Sequence, residues 1–455
     1  MYSIAPQEYN NMFCWCCLVI YFLDVYLLLK KEFIKQPVSF NTFFLLSFFF
    51  VSYVYPLFIV PSGLSFFFDP KGMVISNNIN ACTALCTVAA SAYTFGFSLK
   101  KNRKIYELKD EIYYRNVSNR IKKPYYISVM LVIVVLYSFF TTKHDVEIEV
   151  QEAPFLFVIF LVLTAILFVT QTKVIKQQDE LKLKTFLYSN KQVVFISIVI
   201  MLIYTVIGDR LLIIELGLIM LSVYSIYYKS VKLRHLLVLL VAGVFFMTLL
   251  AWTRGGESSL RYGGVGAFVS ESGSMANNNE GGIWGFSADL SGRFQELSYG
   301  YYLTEQKGHQ YPLKIFATFL SPIPFLPNVV SNIVVGVPTT KTSAGYLIAN
   351  DSGTNAGTHC VIDVYMPWGL TGTILIFILF GWLVAYVSVN RNKNLYFNVI
   401  YIILIYQSVF IARGTLFDIY RSGAWSIIII YLVDQYSKRN KRKLAIARLW
   451  LRLVS

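Results

Sequence analysis

Six arginines stand apart from the other basic residues of this chain: Arg210, Arg254, Arg261, Arg293, Arg413 and Arg421. Arg210 follows Gly208-Asp209 in a tight connection, Arg254 ends an apolar run, and Arg413 and Arg421 flank the turn ARGTLFDIYR. A guanidinium is planar and permanently charged, and it grips phosphate at two points. Several at one membrane depth would form a pocket for an anionic group; alternatively each snorkels to the interface or pairs with a carboxylate such as Asp209 or Asp418. In SGTNAGTHCVIDVYMPWGLTG, His359 and Asp363 are four residues apart and share one face if a helix starts there. They would then make a general base with its orienting carboxylate, unless His359 only caps the helix. Only four histidines occur, and His309 lies on the same side of the chain as His359. Glu215 lies deep in an apolar run, where an ionisable group is costly and usually functional; pairing with an arginine is the structural alternative.

Other chemistries lack residues. There is no G-x-S-x-G, H-E-x-x-H or P-loop, which leaves serine hydrolase, zinc protease and NTPase readings unsupported. Cys14 and Cys17 form a C-x-x-C, but within an apolar run and without a nearby histidine, so neither a metal site nor a disulfide framework is expected.

The elements that position these residues are membrane helices. Hydrophobic residues make up 56% of the 455 and charged residues only 14%, and the mean hydropathy is +0.56. Apolar runs of about 17–25 residues match a hydrocarbon core of about 30 Å, and they do not alternate as barrel strands would. The expected fold is all-α and polytopic, with spans near 12–30, 41–60, 79–98, 125–141, 154–171, 193–208, 211–228, 235–253, 361–388, 395–411 and 422–437. Of the 40 Lys and Arg, 29 fall in alternate connectors and the tail from Lys438. Short basic loops stay cytoplasmic, which places the N-terminus outside and the C-terminus inside. The same argument assigns the net charge of +15 to topology rather than to nucleic acid. The chain then divides into an eight-helix bundle (1–253), a large outer loop (254–360), C-terminal spans (361–437) and a basic tail (438–455). Residues 313–336 are apolar enough to cross, but Pro322, Pro324 and Pro327 interrupt them, so a re-entrant or interfacial piece is expected. A stretch from Leu290 to Gln306 reads as an amphipathic helix, and the tail as a basic amphipathic helix on the cytoplasmic leaflet.

The order of these features resembles the bacterial O-antigen and capsule repeat-unit polymerases of the Wzy type. It has ten or more spans, a short outer turn with Gly-Asp-Arg, an arginine closing the next outward span and a late large outer loop. That loop carries the Pro-rich patch SPIPFLP and ends in the aromatic-plus-Gly start VYMPWGLTG, which runs on to LFGW. The resemblance implies a design like the GT-C glycosyltransferases, placed in the bacterial inner membrane. It implies transfer of a growing glycan from undecaprenyl diphosphate to a new lipid-linked repeat unit on the periplasmic face, without nucleotide, metal or other cofactor. Fixed arginines would stabilise the diphosphate leaving group, and a base such as His359 would take the acceptor proton. Arg254 would share the catalytic role with His359 and Asp363, and the other five arginines would bind diphosphate or glycan. Whether a polysaccharide chain-length regulator is also a partner is left open by the resemblance. The O-antigen ligase, with similar topology, and a lipid-linked oligosaccharide flippase are the competing readings. A flippase would show repeated halves, which this chain lacks.

Overall fold

The computed structural model describes residues 2–30, 37–63, 72–100, 111–141, 154–176, 183–207, 211–236, 238–239, 243, 291–323, 326–353 and 357–454. Among them all regular structure is helical. Among the described residues six helices are long and apolar enough to cross a membrane. They include α1 (Asn11–Leu29), opened by the side chain of Asn10, which accepts from the Phe13 N–H. A shorter apolar helix, α2 (Phe40–Ser52), is capped in the same way by Ser39. Then come α3 (Ile79–Ser98), α4 (Glu111–Thr141), α5 (Pro154–Lys176), the short α6 (Leu183–Ser189), α7 (Lys191–Ile207) and α8 (Leu211–Val223). Beyond the large connection follow α9 (Phe294–Lys307), α10 (Lys314–Phe319), α11 (Leu326–Val334), α12 (Ala344–Ser352), α13 (Cys360–Asn390), α14 (Leu395–Ala412) and α15 (Asp418–Val454).

These helices bear on the expected spans individually. The segments at 125–141 and 422–437 lie inside α4 and α15, whose charged ends dilute their hydropathy. The expected span at 235–253 falls largely outside the described residues. Residues 313–336 do not form one helix; α10 and α11 are separate short pieces, with Pro322 after α10 and Pro327 in the first turn of α11. The amphipathic helix expected over 290–306 is α9. All six cysteines are free thiols, and only Cys16 is exposed.

The most extensive helix pair is α3 with α13, and glycines permit its closeness. A Cβ added at Gly96 would lie 2.0 Å from the Ile378 carbonyl oxygen, and one at Gly381 would lie 2.1 Å from that of Tyr93. Small residues at such crossings let backbones approach where lipid supplies no hydrophobic drive between helices. Around this seam Phe44, Tyr93 and Phe380 pack ring to ring at 5.2–5.8 Å. Apolar side chains on the outside, such as Met12 and Leu27 of α1, Met130 of α4 and Leu375 of α13, remain exposed. In a helical membrane protein this is the lipid-facing surface.

Alternate helix ends meet at one end of the bundle. The Asn10 N–H donates to Asn80, joining the starts of α1 and α3. Ser52 at the end of α2 bonds His359 at the start of α13. Phe155 of α5 lies edge-on to Trp425 of α15. At the opposite end, Tyr113 and Tyr396 both donate to Asp434. The first end carries every described residue for which chemistry was expected.

Candidate functional site

The site is built where α13 begins. Its first turns, Cys360–Trp368, are set off from the rest by Gly369, which sits at φ 64, ψ −163, two residues after Pro367. A proline inside a helix removes one hydrogen bond and blocks the carbonyl four residues earlier. The break leaves the Met366 carbonyl to accept from elsewhere, and two donors reach it: the Gln310 N–H at 3.1 Å and His309 Nδ1 at 3.2 Å. The loop that brings them is tightly bent. Gly308 is left-handed at φ 73, and so is Tyr311 at φ 52, the one non-glycine residue with positive φ among those described. A left-handed tyrosine costs about 1–2 kcal/mol, so surrounding contacts must hold this loop in place. One such contact is the Trp368 indole N–H, which donates to the Pro312 carbonyl at 2.8 Å.

His359 and Asp363 share the first turn of α13 but do not bond each other. His359 is fully buried. Its Nδ1 accepts from the Val361 N–H at 3.2 Å, and its Nε2 lies 3.2 Å from Ser52 Oγ. A nitrogen that accepts carries no proton, so the proton is on Nε2 and is donated to Ser52; both nitrogens are engaged. Burial, reinforced by the nearby Arg293 guanidinium, pulls the imidazole down to about 3. The expected pair of base and orienting carboxylate is therefore corrected: His359 is a buried helix cap. Asp363 instead takes the Lys314 ammonium at 2.8 Å on Oδ1 and the Thr415 hydroxyl at 2.6 Å on Oδ2. Lys314 also donates to the Asp363 carbonyl at 3.1 Å and lies 5.9 Å from the Trp368 ring. Lys314 was not singled out from the sequence, although it is the one charge in the apolar stretch 313–336.

Thr415 belongs to the turn between α14 and α15, and this turn rims a recess. A cavity of about 250 Å³ opens among α5, α7, α8, α14 and α15. Phe157, Leu161, Leu212 and Phe410 give it hydrocarbon walls, while Glu215, Gln407, Asp418 and Arg421 supply polar groups. Gln407 donates to Ser422 Oγ at 2.8 Å, and its buried amide oxygen has no partner among the described residues. Asp418 lines the recess and is exposed. Desolvation pushes its carboxyl up to about 6, with Arg421 opposing and Asp363 adding to the rise.

The expected arginines separate. Arg421 lines the recess, and Arg413 is the half-buried C-cap of α14 on the same turn. Arg293 is directed elsewhere: it pairs with Glu296 at 2.6 Å, and Glu296 accepts from the Gly357 N–H at 3.1 Å. A Cβ at Gly357 would lie 1.8 Å from Arg293 Nη1, so a side chain there would displace the guanidinium. Glu215 is buried in the recess wall. Asp209, Arg210, Arg254 and Arg261 lie outside the described residues. Comparison with protein-family models, with curated proteins and with solved structures finds no match.

Proposed function

We propose that this chain joins undecaprenyl-diphosphate-linked oligosaccharide repeat units into O-antigen or capsular polysaccharide, working on the periplasmic face of the bacterial inner membrane. The observation that carries the reading is the division of the recess. Hydrocarbon walls continue into a rim holding Arg421, Asp418 and Gln407, and such a cavity suits a ligand with an apolar chain and a charged head. A polyprenyl diphosphate is of that kind. Its first isoprene would lie against Phe157 and Leu212, with the diphosphate beside Arg421 and Arg413.

In this reading the chemistry needs little beyond charge and position. The bond from the anomeric carbon to the diphosphate breaks, and negative charge grows on the leaving oxygen. Fixed guanidinium groups stabilise that charge in a site of low dielectric. Desolvation raises the Asp418 carboxyl, and an adjoining anion would raise it further and favour its protonated form. It then donates a hydrogen bond to a phosphate oxygen.

The test is a gel profile of surface polysaccharide. Cells lacking the chain should carry single repeat units and no ladder, and Arg421→Ala should restore the ladder poorly although the protein inserts normally. Loss of even the single repeat would favour the ligase or the flippase. An unchanged ladder would refute the reading.

A further inference from the structure

In the reading above the recess is taken by the donor lipid, with Asp418 donating to its phosphate, and His359 has no nitrogen to spare for the attacking hydroxyl. We infer that His309 Nε2 accepts the proton of the acceptor glycan's hydroxyl, in a subsite built by the Gly308–Pro312 loop against the break in α13. The inference rests on the polymerase reading above.

Four observations carry it. First, His309 Nδ1 faces a carbonyl, which only accepts, so Nδ1 bears the proton and Nε2 presents its lone pair. This is the reverse of His359, and the His309 side chain is exposed where His359 is buried. Second, the ring is held in place. A Cβ at Gly369 would lie 2.8 Å from both Cε1 and Nε2, so the imidazole rests against a position that only glycine leaves open. Third, the loop adopts two left-handed residues around His309 and Gln310, and such backbone conformations cluster at functional sites. Fourth, the surroundings suit a sugar. Tyr365 lies edge-on to His309 at 6.1 Å and stacks on Tyr301, and its hydroxyl donates to the exposed Glu305 at 3.0 Å. Buried Tyr365 thus fixes one side of His309 and orients Glu305, whose exposed carboxylate can accept from a sugar's hydroxyls.

Trp368 joins this subsite to the donor recess. Its indole N–H holds Pro312, and its ring packs on Phe417, one residue before Asp418. In the transfer, the acceptor oxygen bonds to the anomeric carbon of the donor glycan as its O–H bond breaks. The proton passes to Nε2, the diphosphate leaves with the electron pair of the broken carbon–oxygen bond, and the imidazolium returns its proton to water.

The experiment uses the full chain in lipid nanodiscs with lipid-linked repeat units extracted from the deletion strain. His309→Asn keeps a donor at the Nδ1 position for the Met366 carbonyl and removes Nε2. The expected result is a fall of about 10²–10⁴-fold in turnover, the usual share of a general base, with KM little changed. Lys341→Ala, exposed in the short helix Thr339–Thr342, serves as the unaffected control. Should Asn restore wild-type turnover, His309 is only a brace for the broken helix and the inference fails while the polymerase reading stands. Wild-type protein that forms no polymer from these units overturns the polymerase reading, and this inference with it.

Discussion

Replacing Lys314 by Met should loosen the working end of the molecule more than any other single charge removal there. The Lys314 and Asp363 side chains are 8% and 7% exposed, and the ammonium makes two bonds to Asp363, at 2.8 and 3.1 Å. Without it, the buried carboxylate keeps, among the described residues, the Thr415 hydroxyl as its side-chain partner. Breaking one side of a buried pair costs about 3–5 kcal/mol, whereas removing both charges is often close to neutral. Lys314→Met/Asp363→Asn should therefore regain most of the loss. With an unfolding entropy of about 2.1 cal/mol/K per residue over the whole chain, 4 kcal/mol lowers the midpoint by about 4 °C. The shift is larger if only this end comes apart. Five of the six cysteines are buried, and Cys360 lies one turn from Asp363. A thiol-reactive fluorophore followed through a thermal ramp in detergent reads the unfolding. Single and double variants that both melt within about 1 °C of wild type would show that this pair does not fasten α10 to α13. Double-variant protein that recovers stability but not polymer would mean that the Lys314 charge also serves the ligand.

Two further predictions concern the frame. The His359 imidazole is held down to about 3, so below its ordinary value of about 6.5 the unfolded chain binds the extra proton. Stability from this group is whole above pH 6.5 and is lost as pH falls towards 3. Three and a half units correspond to a ceiling of roughly 5 kcal/mol. His359→Asn, which can still cap Val361, should flatten that acid slope in detergent melts; an equal slope in both proteins would remove His359 as its source. At the α3–α13 crossing, Gly381→Ala must push against the Tyr93 carbonyl and should cost about 1–3 kcal/mol. Gly217→Ala, with nothing within 4 Å of its Cβ, should be neutral or stabilising. Equal melting of the two glycine variants would contradict the close-approach account.

How much of this was legible in the sequence depended on whether the determinant was local. Hydrophobic length is local, so α1, α3, α5, α8, α13 and α14 stand where their apolar runs predicted them, and 313–336 holds two short helices rather than one. The chemistry depends on partners distant in the chain. His359 and Asp363 share a helix turn as their spacing demands, yet each is claimed by another element, Ser52 of α2 in one case and Lys314 of α10 in the other. Spacing along one helix cannot tell which of its neighbours is nearer. For Arg293 the same limit applied: as a bare outer-face arginine it resembled Arg421, and only the approach of Gly357 and Glu296 separates them.

The break in α13 shows why the two histidines divide their roles. A helix beginning at a membrane surface exposes N–H groups at its start, and a kink frees carbonyls further along. His359 stands at the first place and meets donors with a lone pair, so its Nδ1 accepts and the remaining N–H turns inward to Ser52. His309 stands at the second place and meets a carbonyl, so its Nδ1 must donate, which leaves the lone pair on Nε2. Backbone polarity at the two ends of the short segment Cys360–Trp368 thus sets opposite tautomers on two otherwise equivalent imidazoles. Straightening the segment should abolish that difference. Gly369→Ala would both resist φ 64 and press on the His309 ring, and it should depress turnover as His309→Asn does while leaving the His359 acid slope unchanged. Loss of the acid slope in that variant would mean that the two ends of the segment are one mechanical unit, and that the tautomers are not set independently.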